Sequence, residues 1–407
     1  MTTQRLRIVV TGLAATYPYG GVFWDYLQYP LGFARLGHDV LYLEDPGTWC
    51  YDPVGVTFVP DGARNARLLA RRLAAYVPEL AERWFFRDPA GATYGRGADQ
   101  VARWCRDADV FVHLSASCRT PERYFGAART VFVDSDPMYT QASVPGYQAG
   151  TLDAAGRSRV DMLRRHDVFF TFAENVGRPD CRVPTGLFEW IPTRQPIVLD
   201  RFAAFRVPPQ RRRHVLTTVG SWEPTTGKAG PVVEGITYGG KTSQFRRFAD
   251  LPRRSPVPVY AALSGHFPAR LLRRGGWRLE DPDAVSVSPG TYRRWLASSL
   301  AELSVAKHAY VASRSGWFSC RSACYLALGV PAIVQDTGFG GSIPTGAGVL
   351  AFSTADQAAA AIQQVVTEPA RHTAAAVEIA HEHFDAAKVL GRLLERALAA
   401  QPSSLAG

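Results

Sequence analysis

The feature that most constrains this chain is an alternation that runs, stops and starts again. Through the first half, short β-branched runs alternate with amphipathic stretches, the pattern of a parallel sheet covered by helices. Leu6–Val10, Val40–Glu44, Ala108–His113, Thr130–Asp134 and Val168–Phe172 read as strands, with Val22–Leu36 and Ala66–Trp84 as helices. Gly37-His38 closes the first of those helices. A proline-rich passage without helical period follows, from Pro184 through Pro192 and Pro196 to Pro208-Pro209, and ends in Arg211-Arg212-Arg213. The alternation then restarts, with His214–Gly220, Val257–Ser264, Ala309–Ala312 and Pro331–Gln335 as strands. Lys241–Ala249, Tyr292–Ala306, Ser319–Leu328, Ala355–Val366 and His381–Ala399 are the helices between and after them. Two successive doubly wound sheets predict an α/β fold of two Rossmann-like domains facing a cleft, with ligands at the carboxyl ends of the strands. The expected division is a domain over 1–195, a linker over 196–213, a second domain over 214–380, and a C-terminal helix over 381–407 free to cross back to the first domain.

A chain of 407 residues accommodates two cores. With 46% hydrophobic and 20% charged residues it belongs with soluble globular proteins. The formal net charge of +10 suits an anionic ligand. Only Lys228, Lys241, Lys307 and Lys388 among its 46 basic residues are lysines, and genomic base bias gives the same arginine excess. No basic stripe interleaved with aromatics marks a nucleic-acid surface. Six scattered cysteines, without a C-x-x-C pair or zinc-ligand spacing, read as free thiols of a cytoplasmic protein. No run of about 18 apolar residues spans a membrane, while peripheral membrane contact stays open.

The sharpest segment runs from Ala309 to Gly338. A small-residue loop, Ser313 to Gly316, leads through Trp317 and Phe318 to a helix whose natural N-cap is Ser319, with Arg321 and Ser322 in the first turn. Free N–H groups, a positive dipole end, two hydroxyls and a guanidinium converge there, which suits a diphosphate. A plain strand–loop–helix with a routine cap is the competing reading. Gly329-Val330-Pro331 then starts a strand tipped by Asp336-Thr337-Gly338. A second loop, Tyr238-Gly239-Gly240-Lys241-Thr242, opens a helix after the first strand of this half, and its lysine is either a phosphate contact or solvated. Lys307, read at a helix end with Glu302, either meets phosphate or compensates the helix dipole.

In the first half, Asp134 and Asp136 lie at the carboxyl end of a buried strand with i, i+2 spacing, as a general base or as turn stabilisers. His113 ends the neighbouring strand, as a base or as a satisfied core histidine. Asp25 opens a helix, where a carboxylate also answers the dipole.

The segment from Ala309 to Gly338 resembles the C-terminal signature of GT-B glycosyltransferases, in which strand, glycine loop, helix and G-x-P strand grip the donor diphosphate. The resemblance implies donor contacts from Gly240, Lys241, Glu302, Lys307, Ser315, Gly316, Trp317, Phe318, Ser319, Arg321 and Ser322. It places Gly20, Gly21 and Trp24 of the first loop, and Asp336, Thr337 and Gly338, against the sugar or acceptor. Two glutamates eight residues apart in retaining members would fall at Gly316 and Cys324, where neither is present. Ser315 to Ser319 resembles the Gly-Trp loop of inverting plant-type and antibiotic enzymes, with Arg314 in place of their histidine. The implied function is transfer of a sugar from a nucleoside-diphosphate sugar (UDP, GDP or dTDP) to a small acceptor, in antibiotic or other secondary-metabolite biosynthesis. No tightly bound cofactor and no metal are expected, Asp136, Asp25, Asp134 and His113 are the candidate bases in that order, and a homodimer is compatible. The alternatives are a catalytically degenerate GT-B partner protein and a sugar-nucleotide epimerase.

Overall fold

A computed structural model describes residues 4–119, 121–222 and 230–400; Lys228 and the end of the expected C-terminal segment lie outside them. The strands, in chain order, are β1 (Arg7–Thr11), β2 (Asp39–Glu44), β3 (Cys50–Asp52), β4 (Thr57–Val59), β5 (Trp84–Arg87), β6 (Thr93–Gly95), β7 (Val110–Leu114), β8 (Arg129–Asp134), β9 (Val168–Thr171) and β10 (Trp190–Pro192). They continue with β11 (Arg213–Ser221), β12 (Val232–Val233), β13 (Ile236–Thr237), β14 (Val259–Ser264), β15 (Arg278–Glu280), β16 (Ser299–Ser304), β17 (Ala332–Gln335) and β18 (Val349–Phe352).

The first sheet has the order β10-β9-β8-β7-β1-β2-β5-β6, and every pair in it is parallel except β5–β6. The second, β15-β14-β11-β16-β17-β18, is parallel throughout. Both are doubly wound: the order reverses at β1 in one and at β11 in the other, so crevices open at the carboxyl ends of these strands. β3–β4 and β12–β13 are separate antiparallel hairpins. Central strands are buried on both faces and read as continuous apolar runs, as parallel sheets require.

Several sequence expectations are corrected. Tyr292–Ala306 is a helix only over Pro289–Ala297, and Ser299–Ser304 is strand β16. Leu296, Leu300 and Leu303 fall at i, i+4 and i+7, so a fully buried strand continued the helical spacing. Ala309–Ala312, expected as a strand, lies in the short helix His308–Ser313. Glu302 and Lys307 therefore do not share a helix: Glu302 is inside β16, and Lys307 occupies the N-cap of the short helix. Ala66–Trp84 is a helix over Ala63–Tyr76, and Trp84 already belongs to β5.

The last helix, Ala386–Ala399, packs against the first, Gly20–Arg35, so that a methyl group on Gly32 would lie 2.4 Å from Leu390. The chain thus passes between the sheets twice, and the two passages are joined to each other. Ile197 N–H donates to Phe384 O at 2.7 Å, and Ala386 N–H to Ile197 O at 2.9 Å.

Candidate active site

The cleft begins with contacts that hold its two walls together. At the start of the first helix, Gly21 N–H donates to Ser286 Oγ at 3.2 Å, and Trp24 Nε1 donates to Pro289 O at 3.0 Å. A methyl group on Gly20 would lie 2.3 Å from Ser288 O, so only glycine fits. Trp24 is fully buried, with the Arg293 guanidinium 4.5 Å from its ring. These three residues, expected against the sugar or acceptor, lie in contacts between the walls, and Trp24 is fully buried there. Upstream, the buried Glu44 accepts from the N–H groups of Ala15 and Thr16, the Thr16 hydroxyl and the Tyr42 hydroxyl, fixing the first loop.

On the second wall, the helix Cys320–Ala327 starts at Ser319, which has the extended backbone of an N-cap but makes no side-chain capping bond. Arg321 is anchored from below: Nε meets Glu302 at 2.6 Å, Nη2 the Ser304 hydroxyl at 2.6 Å and Nη1 the Val219 carbonyl at 2.8 Å. Burial alone would lower its pKa, but the Glu302 carboxylate outweighs that and holds it charged. At the carboxyl end of β11, a methyl group on Gly220 would lie 3.1 Å from Arg321 Nη1 and 3.4 Å from Lys241 Nζ. Two cations therefore meet above one glycine. Lys241 donates to Ser221 O, and burial, with Arg321 and Lys307 as like charges, brings its ammonium down to about 7. Gly240 O accepts from His308 N–H at 2.9 Å, tying this loop to the short helix. The Ser322 hydroxyl is buried without a partner among the described residues and borders a cavity of about 10 Å³ with Ser304, Phe318, Ser319 and Gln335. That is room for about one water.

The loop before this helix is laced to the next strand end. Gly316 N–H donates to Thr337 O at 2.8 Å, Thr337 Oγ1 to Trp317 O at 2.6 Å, and Gly338 N–H to Asp336 Oδ1 at 2.7 Å. Gly316 has φ +78°, and its absent side chain leaves room for Asn175 of the other wall. Asn175 Nδ2 donates to Arg314 O and Gly338 O at 3.0 and 2.9 Å, and its N–H to Ser315 O at 3.0 Å. Trp317 reaches across as well, donating to Ser135 O at 3.0 Å. Arg314 turns away to pair with the exposed Asp180 at 2.9 Å.

The four acid–base candidates are sharply different. His113 is buried, hydrogen-bonded to His166 and to Cys118 N–H, and burial keeps it neutral well below its ordinary pKa. Asp134 is buried and accepts from Thr140, Gln141 and Thr171 and from Asp136 N–H. Asp136 crosses the cleft to Lys307 Nζ at 2.7 Å and accepts from the Tyr310 hydroxyl. Asp25 is partly accessible, yet desolvation pushes its carboxyl up to about 6 despite a hydrogen bond from the Cys320 thiol. Sequence reasoning missed Asn175, Gly220 and Cys320. No local pattern marks a residue whose role is contact with a distant segment. Among the described residues, no three His, Cys, Asp or Glu side chains gather as a metal site, and no helix is long and apolar enough to cross a membrane.

No family model and no curated protein matches the chain, but solved structures do. HepE of Anabaena, solved with UDP and glucose, aligns over 97% of this chain and all of its own, with TM-score 0.55 and 10% identity. Sucrose-phosphate synthase from Thermosynechococcus elongatus aligns over 98% and 100%, with TM-score 0.50 and 13% identity. A glycosyltransferase from Rickettsia africae aligns over 98% and 100%, with TM-score 0.50 and 11% identity. These likenesses run through both sheets and both passages between them: the chain has the GT-B fold.

Proposed function

We propose that the protein is a glycosyltransferase that moves a sugar from a nucleoside-diphosphate sugar to a small acceptor of the secondary-metabolite kind. The observation that carries this reading is the meeting of Lys241 and Arg321 above Gly220, beside the N-terminus of Cys320–Ala327. Two cations and free helix N–H groups at a strand end suit the charge of a diphosphate. They also meet the charge that develops on the leaving diphosphate, so the reaction proceeds without a metal ion.

Asp25 serves as the base. Its carboxyl lies beside Cys320, the first residue of the helix Cys320–Ala327, the residue is partly accessible, and desolvation pushes the carboxyl up to about 6. It takes the proton of the acceptor nucleophile as that atom attacks the anomeric carbon and the nucleoside diphosphate leaves, an inverting displacement. Asp136 ranks below it, because Lys307 and Tyr310 hold its carboxylate.

Titration of the protein with UDP, GDP and dTDP, followed by melting temperature, tests the donor site; the nucleotide that binds should raise it with concentration. UDP-glucose is the first donor to try, since HepE was solved with UDP and glucose. Lack of a shift with all three nucleotides would sink the reading, and turnover lost in EDTA and restored by manganese would remove its metal-free part.

A further inference from the structure

We infer that Asp136 is an internal stand-in for the donor's phosphate: its carboxylate holds Lys307 across the cleft until a nucleoside diphosphate displaces it. The inference rests on the donor site proposed above and adds the residue that sets which ligands can enter it. Asp136 stands just past β8 on the first wall, and Lys307 is the N-cap of the short helix His308–Ser313 on the second. Lys307 Nζ donates to the two carboxylate oxygens of Asp136 at 3.0 and 2.7 Å, and the Tyr310 hydroxyl donates to one of them.

The pair lies at the phosphate site. His308 N–H donates to Gly240 O at 2.9 Å and Ala309 N–H to Gly239 O at 3.0 Å, so the residue before them lies against the loop that carries Lys241. The Lys307 ammonium is 4.7 Å from the centre of the Tyr139 ring, and the Tyr139 hydroxyl donates to Gly239 O at 3.1 Å. Lys241 feels both members of the pair: Lys307 lowers the pKa of its ammonium and Asp136 raises it. The Asp136 side chain is 44% exposed and that of Lys307 27%, so a ligand can reach the bridge.

Charge gives the reason for an exchange. Arg321 is matched by Glu302 and Lys307 by Asp136, whereas Lys241 meets the neutral Ser221 carbonyl and has no carboxylate partner among the described residues. A diphosphate carries more negative charge than one ammonium answers, and Lys307 turning onto it supplies a second. Asp136 then keeps the Tyr310 hydroxyl but faces the buried Asp134, a like charge. Release therefore has a cost, and a ligand without phosphate offers Lys307 nothing in return. The walls do not depend on the bridge, because Trp317 Nε1 still donates to Ser135 O, and Asn175 Nδ2 to Arg314 O and Gly338 O. A partly exposed ion pair adds little to stability.

Calorimetric titration of the full chain with UDP, GDP and dTDP, in the parent, Asp136→Asn, Lys307→Met and the double variant, is the test. Asp136→Asn should bind the accepted nucleotide about fivefold more tightly than the parent, the worth of a partly exposed ion pair. Asp136→Ser, which removes the same charge with a different side chain, should show the same gain. Lys307→Met should weaken binding, and in the Asp136→Asn background it should still cost on the order of tenfold, because the lysine then meets phosphate. A bridge that only braced the walls would make both single variants bind more weakly. Asp136 variants that bind no tighter than the parent, or Lys307→Met that is silent in the Asp136→Asn background, overturn this inference and leave the donor site standing. Binding of none of the three nucleotides by parent or variants overturns both.

Discussion

The two walls of the cleft carry opposite charge and treat it differently. The second wall presents Lys241, Lys307 and Arg321, and the first presents Asp25, Asp134 and Asp136. Arg321 is fixed by three partners beneath it and Lys307 is matched by Asp136 across the gap. On the acidic side, Asp134 has four donors and Asp136 has a lysine and a tyrosine, while Asp25 has a thiol. Donors already on a carboxylate occupy the lone pairs that an acceptor hydroxyl would need. Of the three, Asp25 alone combines partial accessibility with a single weak partner. Position next to the cleft is therefore less informative about a base than the number of donors already around it.

The largest effect is expected at that residue. Asp25→Asn should lower turnover on the order of 10²–10⁴-fold while nucleotide affinity is kept. Asp136→Asn should cost far less, and steady-state rates that reverse this order would overturn the contrast between the two carboxylates. Next comes Arg321→Ala, which leaves Glu302 as a buried carboxylate without its cation. Breaking such a buried pair costs about 3–5 kcal/mol, read by urea unfolding. A variant as stable as the parent would show that Arg321 is not held by Glu302. Lys241→Ala should leave folding intact and weaken nucleotide binding by about 1.5–3 kcal/mol, as calorimetry would record. Unchanged affinity would move the diphosphate elsewhere.

The smallest effect is on pH. The Lys241 ammonium is lowered to about 7, so its cation is present below that pH and lost above it. Affinity for nucleotide should fall as pH rises through about 7. The Asp25 carboxyl, raised to about 6, is protonated below that pH, so turnover should rise through about 6. A rate profile with its maximum between these values would tie each limb to one wall; one without an acid limb removes Asp25 as the base.

Much of the fold was legible because parallel strands buried on both faces leave continuous apolar runs between helical stretches. The Ser319 start of the helix Cys320–Ala327 was legible for a similar local reason: a small hydroxyl residue before an apolar period. Strand β16 was not, since its leucines continued the spacing of the helix before it. Pairings were the hardest to see. Glu302 and Arg321 are brought together by β16 and the helix Cys320–Ala327, and Asp136 and Lys307 stand 171 positions apart. Only tertiary packing decides whether such a charge is free for a ligand or already matched. Trp24 illustrates the same gap, because its aromatic ring near a glycine pair suits a sugar and an interdomain core equally well.

The crossing at Ile197 has a mechanical consequence. Two separate strands of chain join the domains, yet they run side by side and are bonded to each other at Ile197, Phe384 and Ala386. Paired in this way they form one double-stranded tie rather than two independent linkers, so that neither passage can shift without breaking its bonds to the other.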